Sequence, residues 1–149
     1  MTEEKEYIPT ALAADIQGAF DFPVAGEEAA KVFSTFISDL VKASVKAGAW
    51  SIGHIKAVVE SGAGFLMLSS TTENGKVRCR GELNRVEDYS MTVNVIVYGA
   101  DPLRLEEMFV ALVETLPHAQ VDIIPAEGCD DPNCFDPFCH RHDHMHKDY

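Results

Sequence analysis

The sequence predicts an α+β domain: a four-stranded antiparallel meander with two amphipathic helices packed on one face, a short final strand, and a Cys/His-rich C-terminal tail. Three observations lead there. Two segments, 27–47 and 101–116, repeat apolar residues at three- and four-residue spacing, the period of a helix. Between them lie stretches that alternate apolar and polar residues, the period of a strand. Segregated helices and strands of this kind specify an α+β arrangement. Beyond Pro125 the composition changes abruptly and the apolar pattern stops. The chain accordingly divides into a lead-in (1–24), an α+β domain (25–125) and an acidic metal-binding tail (126–149).

In the lead-in, Pro9 stands where a helix can begin, and Ala11, Leu12 and Ile16 form one short apolar face. A short helix is expected over 9–19, ended by Gly18 and Pro23. The first long helix follows at 27–47. Ala29, Val32, Phe33, Phe36, Ile37, Leu40 and Val41 make its stripe, and Glu27 and Glu28 sit in the first turn, where the helix dipole favours negative charge. Gly48 is its expected stop.

Four strands are expected next. Residues 51–60 place Ile55, Ala57 and Val59 on one face and His54, Lys56 and Glu60 on the other. Residues 65–72 form the second strand. Asn74-Gly75 is a hairpin signal leading to a third strand with Val77, Cys79, Gly81 and Leu83 on one side. Residues 84–90 read as a loop, and Met91, Val93, Val95 and Val97 share one face of the fourth strand. Asp101-Pro102 opens the second helix, with Asp as cap and Pro in the first position. Leu105, Met108, Phe109, Leu112, Val113 and Leu116 form its stripe, and Pro117 ends it. Residues 121–124 are a short final strand. With both helices on one sheet face, the other face carries His54, Lys56, Arg78, Arg80, Thr92 and Asn94 and is either solvated or an interaction surface, where the neighbouring Ile96 and Tyr98 would allow a homodimer contact.

The net charge is −12 over 149 residues. Nucleic-acid binding draws on clustered Lys and Arg, which this chain lacks, and an acidic surface repels phosphate and attracts cations. Neither nucleic acid nor a membrane surface is an expected partner. No apolar run reaches the ~18 residues of a membrane span, and the polar start MTEEKEYIPT does not resemble a secretory signal. The expected compartment is the cytoplasm, where clustered cysteines serve as metal ligands in preference to disulfides.

The last 21 residues hold Cys129, Cys134, Cys139, His140, His142, His144 and His146, three of the four cysteines and four of the six histidines. Thiolate and neutral imidazole are the preferred ligands of zinc, nickel, cobalt and copper. Zinc is the first candidate here, with nickel and cobalt next. The tail carries six acidic and two basic residues, net −4, and too few apolar residues for a core of its own, so an ion would be needed to order it.

The cysteine spacing C-x4-C-x4-C is wider than the knuckle of common zinc modules. Asp131-Pro132 and Asp136-Pro137 each precede a cysteine, making GCDDPNC and CFDPFC near-repeats that can turn the chain back. Three sulfurs could thus surround one ion, with His142 or His144 as an easier fourth ligand than the adjacent His140. The four histidines alternate. In an extended chain they lie on one side, about 6.7 Å apart, and in a helix they pair at i,i+4 as chelating imidazoles.

Elsewhere the residues are less informative. Cys79 is expected to be a small buried hydrophobe, His54 a strand-face histidine, and His118 a residue serving the end of the second helix. The glycines of SGAGF lack the lysine and Ser/Thr of a phosphate loop. No G-x-S-x-G elbow and no H-E-x-x-H occurs. The chain therefore reads as a non-enzymatic metal-binding accessory protein, a metallochaperone-like carrier that acquires, stores, senses or delivers a divalent transition metal, with a client protein implied. One alternative is a structural zinc protein whose domain is an interaction or small-ligand-binding module. Another is a metal-dependent enzyme whose site the tail completes near His54 or Glu60.

Overall fold

The computed structural model describes residues 9–62, 64–72 and 74–124. Pro9–Ala25 form a strand, β1, and not a lead-in with a short helix. Its alternation is that of a sheet: Leu12, Ala14 and Ile16 are buried, while Asp15 and Gln17 face outward. The run of alanines favours helix locally, but pairing on both sides overrides that weak preference. Helix α1 (Gly26–Lys46) follows, burying Ala29, Phe33, Phe36, Ile37, Leu40 and Val41. The remaining elements are β2 (Ser51–Ser61), β3 (Gly64–Ser70), β4 (Arg78–Glu82), β5 (Arg85–Tyr98), α2 (Pro102–Val113) and β6 (Gln120–Ile124).

Among the described residues, six strands form one antiparallel sheet in the order β4-β3-β2-β5-β1-β6. This overturns the four-stranded meander. β2, β3 and β4 do follow one another, but β5 returns to the far side of β2, pairing Ile55 with Val95 and Val59 with Met91. On its other edge β5 pairs with β1, as in Leu12 with Val95 and Ile16 with Met91. A valine-rich strand such as β5 buries most when flanked on both edges, and β1 supplies the second flank. The class remains α+β.

Residues 84–90, expected to be a loop, are largely strand. β5 begins at Arg85, and Val86 and Tyr89 are buried. Gly53 forms a bulge opposite β5, where the register slips between Ile52 and His54. β1 likewise breaks register between Ala19 and Val24, a stretch that contains Pro23, which cannot donate to a ladder.

Both helices lie on one face of the sheet and touch each other. Their joint core includes Phe36 against Phe109, edge to face at 6.1 Å between ring centres. Phe33 packs against Tyr89 at 5.0 Å in the same manner. Gly26 opens α1 directly against the carbonyl of Leu83; a β-carbon there would overlap that oxygen. Asp101 caps α2 by accepting a hydrogen bond from the Arg104 amide at 3.0 Å, with Pro102 in the first position. No helix among the described residues is long and apolar enough to cross a membrane.

Candidate functional site

The seven predicted ligands, Cys129, Cys134, Cys139, His140, His142, His144 and His146, lie outside the described residues. The structure places the point from which their segment departs. β6 is an edge strand, and its last residue, Ile124, stands opposite Ala13 of β1. The ligand-bearing segment therefore begins at the edge of the sheet farthest from β4.

Three further residues singled out in the sequence are described. Cys79 pairs with Leu68 and so points to the helix side, but β4 is the opposite edge and the thiol is exposed. Its sulfur lies 3.4 Å from the Ser34 hydroxyl of α1. It is not the buried hydrophobe expected, because an edge strand has cover on only one flank. His54 is half-buried on the outer face of β2, opposite Ile96. His118 does not serve the end of α2. Its Nε2 lies 2.6 Å from Oδ1 of Asp21 in β1, and its backbone takes a left-handed φ of 44°. Both side chains are well exposed, so the pair contributes little to stability.

Among the described residues no group of three or more His, Cys, Asp or Glu side chains is placed to hold a metal ion. Two hollows lie towards opposite ends of the strands, one across β2, β5 and β1 and the other beside β3 and β4. One, of about 470 Å³, is bounded by Gln17, Glu60, Ser61, Asp88 and Ser90. Its hydroxyls are engaged: Ser61 donates to the Asp88 carbonyl at 2.7 Å and Ser90 to the Gln17 side chain at 3.3 Å. The other, of about 370 Å³, is bounded by residues 69–72 with Lys76 and Arg78. The first gathers carboxylates and the second cations. Neither aligns a nucleophile with a base and an orienting group.

Compared with family models, with curated proteins and with solved structures, the chain matches none. Function is therefore argued from the residues alone.

Sequence reasoning missed one property of the domain, its charge polarity across the outer sheet face. Strand order supplies it. With β4 at one edge and β1 and β6 at the other, Arg78 and Arg80, beside Glu82, stand on one flank and Asp15 and Asp122 on the opposite flank. A meander would have put β5 beside β4 and left β1 out of the sheet, so the separation was not readable from the sequence.

Proposed function

We propose that this chain is a non-catalytic metal-handling accessory protein, in which residues 126–149 bind a divalent transition metal and the α+β domain presents them to a client. One observation carries the reading: seven thiol and imidazole donors within the last 21 residues. The donor set suits zinc first and nickel or cobalt next. Several overlapping donor sets, alternating histidines beside widely spaced cysteines, suit exchange better than a rigid four-ligand site. The acidic surroundings raise the local cation concentration, and ligation by free thiolates fits a reducing compartment such as the cytoplasm.

The test is metal content and exchange in the untagged full-length protein, beside full-length variants with Cys129, Cys134 and Cys139 changed to Ser, and His140, His142, His144 and His146 changed to Ala. Several exchangeable ions, lost in stages in the two variants while the melting temperature stays constant, support metal handling. One tight zinc whose removal lowers the melting temperature by several degrees would overturn it in favour of a structural zinc staple. No bound metal at physiological concentrations would overturn both.

A further inference from the structure

We propose that the outer face of the sheet binds a second copy of this chain, face to face, about a two-fold axis that runs parallel to the strands. The observation is a single row of directly paired residues across all six strands. In order from edge to edge it reads Asp122, Asp15, Thr92, Val58, Met67, Arg80. Paired residues in antiparallel strands lie on one face, and here that face is opposite the helices, because Ile16, Met91, Val93, Val59 and Leu68, one position along each strand, are in the core. The row is acidic at one end, apolar near the middle and basic at the other end.

Reversed, such a row sets opposite charges together at both ends and Asp15 against Met67 between the ends and the centre. A two-fold axis parallel to the strands, passing between β2 and β5, lays β4 of one copy over β6 of the other. Arg80 then meets Asp122 twice, once at each end, and Val58 meets Thr92 at the centre. In the row on one side Arg78 falls over Ile124 and Lys56 over Asn94, and in the row on the other side Glu82 falls over Gln120 and Glu60 over Ser90, so no like charges meet. An axis perpendicular to the strands and through this row would instead stack Arg80 on Arg80, Asp15 on Asp15 and Asp122 on Asp122, while setting Arg78 over Glu82 and Lys56 over Glu60. The parallel dyad brings no like charges together and pairs Arg80 with Asp122 twice, the self-complementarity an isologous interface requires.

The size is adequate. Six strands about 4.8 Å apart span roughly 24 Å between the outermost axes. The 11 residues of β2 extend about 36 Å. Allowing for shorter edge strands, the face is on the order of 700 Å², close to the ~800 Å² per partner of a standard specific interface. Two antiparallel sheets stacked in this way form a sandwich, an arrangement in which strand directions stay within about 30°. The proposal concerns the sheet alone and is independent of the metal reading.

The experiment is sedimentation equilibrium of the untagged full-length protein with chelator present, so that ions shared between two tails cannot join the chains. The expected result is a concentration-dependent dimer that weakens as salt is added. Arg80→Asp and Asp122→Arg, both at exposed positions, each weaken dimerisation by about tenfold or more, since each puts like charges together at two places. The double charge swap restores affinity to within about threefold of wild type. Val58→Lys abolishes the dimer from the centre. Melting curves identify any variant that fails to fold, and the remaining variants then decide. A wild-type protein that stays monomeric to its solubility limit overturns the proposal. So does a dimer that Arg80→Asp and Val58→Lys leave unchanged, which would seat the contact on the β6 edge or the helices. A double swap no better than either single variant overturns the pairing and with it the axis.

Discussion

The hydroxyl of Tyr89 donates a hydrogen bond to the carbonyl of Pro117 at 2.8 Å. The same carbonyl accepts the amide of Ala19 at 3.2 Å. One oxygen thus ties together β5, β1 and the turn between α2 and β6, three segments far apart in the chain. The Tyr89 ring completes the tie from beneath, packed on Phe33 and on Phe20 at 5.0 and 5.8 Å. Tyr89 is 3% exposed. Replacing it with Phe keeps the ring contacts and removes the donor. Tyr89→Phe should cost about 1–2 kcal/mol, measured as a lower urea midpoint with unchanged slope. A midpoint equal to wild type would show that the hydroxyl contributes nothing.

Burial pushes the Tyr89 hydroxyl up from 10.0 to about 12. The folded state therefore favours the neutral phenol. Its contribution is fully present below about pH 10, where the unfolded chain is also neutral, and is lost as pH rises toward 12, because only the unfolded state releases the proton. Across that window wild type should lose about 2–3 kcal/mol relative to Tyr89→Phe, which has no group to ionise. Denaturant titrations of both proteins between about pH 9 and pH 12 read this directly. A wild-type-minus-variant difference that stays constant would rule out the buried phenol as the cause.

Gly18 and Gly26 are among the glycines held by close approach. A β-carbon on Gly18 would overlap the Tyr89 hydroxyl, and one on Gly26 would overlap the Leu83 carbonyl. Gly26 meets rigid backbone and Gly18 mainly a side-chain tip. Gly26→Ala should therefore be the more destabilising, by about 2 kcal/mol or more, with Gly18→Ala nearer 1 kcal/mol. Thermal melts of the two variants give the order, and the reverse order would contradict the contacts described.

Asp101→Ala removes the side-chain cap from α2 and leaves the Arg104 amide without its acceptor. The expected loss is about 1 kcal/mol. Asp101→Ser should restore most of it, since a serine hydroxyl accepts the same bond. Equal stability of the Ala and Ser variants would assign the loss to something other than capping.

Metal binding by the tail should depend steeply on pH, because thiols and imidazoles must lose protons to coordinate. Affinity should fall sharply below about pH 6, near the ordinary range of histidine. Isothermal titration with zinc at a series of pH values measures it. Stoichiometry maintained at about pH 5 would point to carboxylates as the ligands.

Several elements were legible because their causes are local. The stripe of α1 and the Asp101-Pro102 start of α2 each depend on residues within a few positions. So does the alternation Ile55, Ala57, Val59 in β2. The donor density of the tail is likewise a property of consecutive residues, although how those donors gather lies outside the described structure. The start of β5 also carries a local signal. Extending the alternation Val97, Val95, Val93, Met91 back by two residues reaches Tyr89, which is buried. Asp88 and Ser90 are polar as in a loop, but on the outward side of a strand they can face solvent.

β1 shows where local reasoning ended. Thr10 to Ile16 is rich in alanine, and an isolated chain of that composition favours helix. It is a strand because Asp15 has Thr92 on one side and Asp122 on the other, partners 77 and 107 residues distant. The sequence by itself determined the apolar faces, the start of α2 and the donor content of the tail, since each follows from neighbouring side chains and their period, whereas α2 stops at Val113 and not at the expected 116. The tertiary structure decided the strand order, the exposure of Cys79 and the placing of Arg78 and Arg80 on the flank opposite Asp15 and Asp122. Those depend on which distant strands share hydrogen bonds, and a strand's own residues specify which face is apolar but not which neighbour it will find.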